Sequence, residues 1–101
     1  MNDKTITVIV AKDLEDLIPT FMTNRTKELG TLSVALGAGD MEQLRQLGHR
    51  MKGVGNSYGF AQVSDFGKHV EDGARSGDRA LLEATIVHYK EFLARVQITY
   101  E

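Results

Sequence analysis

One histidine of the chain has neighbours that could support chemistry. His49 is followed by Lys52 and Gly53. A neutral imidazole is a good nucleophile near pH 7, and an ammonium group one helical turn away can stabilise the oxygens of a phosphoryl group under attack. Without a ligand, a histidine and a lysine at this spacing repel each other mildly. The pair therefore suits a bound anion better than an empty surface.

The segment that contains His49, from Asp40 to Gly59, has the pattern of an amphipathic helix. Its apolar residues recur at three- and four-residue steps, namely Met41, Leu44, Leu47, Met51 and Val54. His49 lies off this face, on a polar stripe shared with Lys52. The 3.6-residue period of a helix therefore predicts that the His49 ring points outward.

Three glycines lie in this segment, Gly48, Gly53 and Gly55. Each costs a helix interior roughly 1 kcal/mol relative to alanine, so each needs a reason. Gly53 lies one turn after His49 on the same side, where any side chain would shade the imidazole. We predict that Gly53 keeps access to the ring open, and that Gly48 and Gly55 allow close helix packing.

The extended pattern resembles that of the histidine phosphotransfer (HPt) domain family. It consists of His49-x-x-Lys52-Gly53 followed by Gly55, Ser57, Gly59 and Phe60. The family pattern has a helix-borne histidine, a basic residue three positions later, a glycine, small residues and an apolar–glycine pair that closes the helix. The resemblance covers about residues 13 to 96.

The resemblance implies a role for each of five residues. His49 would be the phospho-acceptor, Lys52 would stabilise the phosphate, and Gly53 would give access. Glu71, on the following helix, would orient the imidazole, and Lys68 would be a secondary phosphate contact. Read from spacing alone, Lys68 and Glu71 could equally form an i, i+3 ion pair on a solvated face.

The resemblance also implies a function. The protein would shuttle a phosphoryl group between the aspartates of receiver domains in a multistep phosphorelay of a two-component system. Its partners would be response-regulator receivers, a hybrid histidine kinase, or both. The sequence has no Gly-rich nucleotide loop, which predicts a phosphoryl carrier rather than a true enzyme. We expect no cofactor of its own, and we expect Mg²⁺ on the receiver. The alternative is a non-catalytic helical bundle that binds and inhibits a receiver or kinase.

Composition excludes several other classes of protein. The 101 residues carry a formal charge of −2 with a pI of about 5.9, whereas a nucleic-acid-binding module normally has a basic excess. Cysteine is absent, so neither disulfides nor thiolate metal sites can form. No apolar run approaches the roughly 20 residues of a membrane span. We expect a cytoplasmic monomer without a membrane or nucleic-acid partner or a metal. Whether it stands alone or belongs to a larger kinase stays open.

The apolar periodicity and the helix-terminating residues predict an all-α fold, an antiparallel four-helix up-down bundle with a short extended N-terminal strap. Residues 1–12 would form the strap, because Ile6, Val8 and Val10 alternate along it, and residues 13–101 the bundle. Glycine–aspartate pairs at 39–40 and 77–78 separate helices. The helical period of the last helix continues through Val96 and Tyr100. Residues 96–100 are also β-branched, so pairing of the two chain ends is the alternative.

Overall fold

The computed structural model of the protein describes residues 4–101. The chain starts with strand β1 (Ile6–Val10) and a 3₁₀ helix (Lys12–Leu17). Four helices follow, α1 (Ile18–Ala38), α2 (Met41–Tyr58), α3 (Ala61–Ser76) and α4 (Arg79–Arg95), and then strand β2 (Val96–Tyr100). The predicted four-helix fold with an extended N-terminal segment is confirmed. Residues 1–3 of the predicted strap lie outside the described residues, and its division from the bundle at residue 12 stays a prediction.

Glycines end three of the helices. Gly39, Gly59 and Gly77 have φ values of 68°, 81° and 68°, a left-handed conformation that glycine adopts without the strain of a Cβ atom. Aspartates begin the helices after the first and third of these turns. Asp40 accepts a hydrogen bond from the Gln43 amide, and Asp78 accepts one from the Leu81 amide, each at 3.1 Å. The connections between helices are therefore only two residues long, which makes successive helices antiparallel.

The four helices close into a bundle. α1 packs against α2 and α4, and α3 packs against α2 and α4. The apolar face that the sequence predicts for α2 is turned inward, and Leu44 and Met51 on it are fully buried. Val63 and Val70 of α3 are fully buried as well. Burial of such a stripe stabilises a helix that could not persist alone in water.

The two strands pair in parallel, with Ile6 opposite Val96 and Val10 opposite Tyr100. The predicted continuation of the last helix through Val96 and Tyr100 is therefore wrong. α4 ends at Arg95, because Val96 takes an extended backbone (φ −67°, ψ 135°) and the residues after it form a ladder with β1. The β-branched side chains of this segment favour the strand, and the ladder satisfies backbone groups that a fraying helix end would leave to water.

A polar cluster lies among the buried side chains between α1 and α4. The Tyr89 hydroxyl donates a hydrogen bond of 2.9 Å to Glu28 Oε1, and Arg25 Nε lies 3.1 Å from the same oxygen. Burial raises the pKa of Glu28, although the charge of Arg25 and the hydrogen bond from Tyr89 oppose it. Burial also raises the pKa of Tyr89, and the neighbouring Glu28 charge adds to that effect.

Candidate functional site

His49 lies near the middle of α2, on the side that faces α3. Its side chain is 67% exposed, and its Nδ1 atom is 3.2 Å from Glu71 Oε2 on α3. The Glu71 side chain is only 4% exposed. The structure therefore confirms the outward orientation that the helical period predicts for the His49 ring. One ring nitrogen contacts a buried carboxylate, and the rest of the ring faces solvent.

Glu71 also contacts two cations. Lys52 Nζ donates to Glu71 Oε1 at 2.9 Å, and an Arg75 guanidinium nitrogen donates to Oε2 at 3.1 Å. The hydrogen bond from Lys52 holds the pKa of Glu71 below its ordinary value, although burial acts in the opposite direction. The charges of Lys52 and Arg75 and the hydrogen bond from His49 add to the lowering. The lowered pKa favours an ionised Glu71, and an ionised carboxylate can accept a hydrogen bond from a protonated Nδ1 atom of His49.

The helix-to-helix distance that this contact requires is set by glycines. A Cβ atom on Gly48 would lie 2.6 Å from the Glu71 amide nitrogen, and one on Gly55 would lie 2.6 Å from the Ser64 amide nitrogen. Both predictions of close packing are confirmed. Sequence reasoning missed Gly67, whose Cβ atom would lie 2.6 Å from the Lys52 amide nitrogen. The Ser64 hydroxyl adds a hydrogen bond of 2.7 Å to the Lys52 carbonyl oxygen across the same contact.

The other predicted site residues lie on the surface. Gly53 is exposed, and a Cβ atom placed on it would meet nothing within 4 Å. A methyl group there would not reach the His49 ring, so only a longer side chain could shade it. Lys68 is exposed and forms no ion pair with any residue in the described range 4–101. The roles assigned to His49, Lys52, Gly53, Lys68 and Glu71 stay predictions.

Arg75 is a member of the site that sequence reasoning missed. Its side chain is 61% exposed and bonds Glu71 at i, i+4 spacing on α3. That spacing was visible in the sequence. The resemblance assigns Glu71 to the His49 ring and Lys68 as the cation of α3, and it gives no role to Arg75.

A shallow hollow of about 400 Å³ opens beside the His49 ring. It is lined by Arg45, Gln46, His49 and Arg50, all from α2. Arg45 is held by a 2.7 Å ion pair with Glu42. Lys52 is likewise paired with Glu71, so Arg50 is the cation of this hollow that has no ion pair among the described residues. Such a surface attracts anions, although the whole chain has a net charge of −2.

The two other histidines are in different surroundings. His69 on α3 and His88 on α4 are both exposed. Neither bonds to a buried carboxylate among the described residues. Within residues 4–101, no group of three or more histidine, cysteine, aspartate or glutamate side chains could hold a metal ion.

These features define a class of protein, a small helical bundle that presents one exposed histidine supported by a buried carboxylate of the adjacent helix. The Hpt domain family model matches residues 16–99, which is most of the chain, and the protein belongs to this family. Hpt domains carry out histidine phosphotransfer in two-component signalling, where they interact with receiver domains and histidine kinases. Searches of curated proteins and of solved structures gave no match. Across residues 4–101, none of the helices has the length and apolar character to span a membrane.

Proposed function

We propose that His49 accepts a phosphoryl group from the aspartyl phosphate of one receiver domain and returns it to the aspartate of another. The observation that supports this proposal is that the imidazole contacts a buried carboxylate through one nitrogen while most of the side chain faces solvent. Nδ1 contacts Glu71 at 3.2 Å, while the side chain as a whole is 67% exposed. With the proton on Nδ1, donated to Glu71, the lone pair available for attack would be on Nε2.

The transfer conserves atoms and charge. The Nε2 lone pair forms a bond to phosphorus as the bond between phosphorus and the aspartyl oxygen breaks, and the receiver carboxylate leaves with that electron pair. The ring keeps its Nδ1 proton and becomes positively charged. The Glu71 carboxylate stabilises this charge because it is already ionised and in hydrogen-bond contact before the reaction starts. Return of the phosphoryl group to a second aspartate is the same step in reverse.

Lys52 and Lys68 are proposed to interact with the transferred phosphoryl group. Lys52 Nζ is bonded to Glu71 and its side chain is 43% exposed, so rotation would bring the ammonium to a phosphoryl oxygen. Lys68 lies one residue after Gly67, at the close approach of α3 to α2, and would act as a secondary contact. Gly53 is proposed to leave space for the incoming receiver. Each cation would neutralise charge on the equatorial oxygens of the transition state.

The partner supplies what this chain does not. The receiver, or the receiver domain of a hybrid histidine kinase, would bring the aspartate and the Mg²⁺ that its acidic pocket holds. The bundle would bring the nucleophile, the cations and a docking face around α2. We further propose that it acts as a monomer in the cytoplasm, through transient complexes.

The test is transfer of labelled phosphate from a phosphorylated receiver to the purified protein. The expected product is acid-labile and base-stable, as a phosphohistidine is, and is lost in His49→Gln. His69→Gln and His88→Gln are the matched controls, because both histidines are exposed and neither is bonded to Glu71. Label retained in His49→Gln would overturn the proposal. Receiver binding without any labelling would favour the non-catalytic interaction module.

A further inference from the structure

A second concave surface lies between α1 and α2, on the side of α2 away from α3. This α1–α2 cleft has a volume of about 440 Å³. Arg25, Lys27 and Glu28 line it from α1, and Arg50 lines it from α2. Three cations therefore face one carboxylate. Lys27 and Arg50 form no ion pair with any residue in the described part of the chain.

Arg25 is the unusual member of this cleft. It is only 8% exposed, and its Nε and Nη1 atoms have no hydrogen-bond partner among the described residues. Nε is 3.1 Å from Glu28 Oε1, an ion-pair contact without hydrogen-bond geometry, and the same oxygen accepts the Tyr89 hydroxyl at 2.9 Å. The guanidinium group stacks over the Phe21 ring at 4.7 Å. A buried charged group normally has its hydrogen bonds satisfied, so this guanidinium is short of an acceptor.

The chemistry that would complete the cleft is a carboxylate. An arginine presents its N–H groups as a fork that matches the two oxygens of a carboxylate. A second carboxylate would also neutralise positive charge in the cleft, where three cations face the single carboxylate of Glu28. Glu28 alone cannot neutralise the three cations, because burial raises its pKa and its Oε1 atom also accepts the Tyr89 hydroxyl. The apolar side chain of Leu47 at the wall of the cleft would contact the methylene groups of an acidic side chain.

The cleft is continuous with the surface around His49. Arg50 lines both the α1–α2 cleft and the hollow beside the His49 ring. A protein docked over His49 would therefore also cover Arg50, which lines the cleft together with Arg25. Acidic and basic surfaces attract each other during encounter and fix the orientation of the docked pair.

We propose that the α1–α2 cleft is a second docking site, which receives an acidic side chain of the protein that docks over His49. The proposal rests on the proposed function for the choice of partner. It adds an orientation, because the partner must extend from His49 toward α1. The carboxylate bound here is distinct from the aspartate that exchanges phosphate. Its role is recognition, and Arg25 and Arg50 hold it.

The experiment measures binding of an unphosphorylated receiver domain that binds the parent protein. It is done in the His49→Gln background, so that no transfer can occur. Lys27→Glu places a negative charge at the rim of the cleft. Lys90→Glu makes the same charge change on α4, which packs against α1 and α3 rather than α2. Thermal unfolding of each variant, without the receiver, checks that the bundle is intact.

We expect Lys27→Glu to raise the dissociation constant about tenfold at low salt and Lys90→Glu to leave it unchanged. The difference should disappear at about 1 M salt, where charges more than about 3 Å apart are screened. Equal dissociation constants for the two variants would overturn the proposal, as would a difference that persists at high salt. The outcome is separate from the phosphotransfer test. Absence of label on His49 overturns the proposed function, whereas this binding difference reports on the cleft alone.

Discussion

A Cβ atom on Gly67 would lie 2.7 Å from the carbonyl oxygen of Gly48, and a Cβ atom on Gly48 would lie 2.7 Å from the carbonyl oxygen of Gly67. The backbones of α2 and α3 therefore touch at this pair. His49 follows Gly48 directly, and Glu71 lies one turn after Gly67. The contact between the imidazole and the carboxylate is thus a consequence of two missing side chains.

Alanine at position 67 should separate the two helices. We expect Gly67→Ala to lower the free energy of unfolding by about 2 kcal/mol, because backbone atoms on α2 cannot move aside as a side chain would. Gly53→Ala is the matched control, since its Cβ atom has open space and alanine favours the helix by up to about 1 kcal/mol. Urea unfolding measures both. Equal stabilities of the two variants would contradict the role given to the glycine contact.

Loss of Lys52 should slow chemistry without unfolding the protein. Its side chain is 43% exposed, so Lys52→Ala opens no cavity in the core, and the one buried group that loses a hydrogen bond is Glu71 Oε1. We expect transfer from a phosphorylated receiver to fall by roughly tenfold, less than for a fully enclosed electrostatic group. Lys68→Ala should lose less, since Lys68 is proposed only as a secondary contact. Single-turnover rates give the comparison, with Lys90→Ala as the distant control. A Lys52→Ala rate equal to that of the control would exclude Lys52 from the reaction.

A long side chain at position 53 should obstruct the ring. We expect Gly53→Leu to reduce transfer from a receiver, because the leucine side chain can extend one turn back toward His49 on the same face. Gly53→Ala should lose less, since its Cβ atom alone meets nothing within 4 Å. The measurement is the rate of transfer at saturating receiver. If Gly53→Leu reacts as fast as the parent protein, the glycine has no role in access.

Glu71 should contribute stability that depends on pH. Its pKa is lowered in the folded protein, chiefly by the hydrogen bond from Lys52. A lowered pKa stabilises the fold above the unfolded-state value of about 4.3, and that contribution is lost as pH falls through the lower folded value. The difference in free energy of unfolding between the parent protein and Glu71→Gln should therefore shrink as the pH falls from about 4.3 through the lower folded pKa. A difference independent of pH would show that Glu71 is not held as an ionised group.

Glu28 should behave in the opposite way. Burial raises its pKa in the fold, so its ionisation opposes folding. The stability linked to its neutral form is full below the unfolded-state value of about 4.3 and is lost as pH rises through the higher folded value. Relative to Glu28→Gln, the parent protein should lose stability over that interval. Urea unfolding at a series of pH values tests this, and an opposite slope would contradict the assigned cause.

The helix ends could be predicted from the sequence because they depend on local chemistry. Asp40 and Asp78 cap the residues that follow them, and the glycines at the turns need no distant partner to adopt a positive φ. The same holds for the exposure of His49, which follows from its place in the helical period. These features are encoded within a few residues of where they occur.

The features that sequence reasoning missed depend on contacts between distant residues. Val96 fits both the period of α4 and a strand, and only its pairing with Ile6 decides between them. Gly67 is an ordinary helix glycine until α2 lies against it. Arg25 falls on α1 with polar neighbours, yet it is buried, because Phe21 and Glu28 share its side of the helix at close range.

The parallel pairing of β1 with β2 has a mechanical consequence. Because Ile6 lies beside Val96 and Val10 beside Tyr100, the chain enters the ladder at one end and leaves it at the other. A force applied between residues 5 and 101 would slide the two strands past each other and load their hydrogen bonds together, rather than opening them one after another. The helices that carry His49 and Glu71 lie between these strands in the chain, so tension would reach the bundle only after that clamp had yielded.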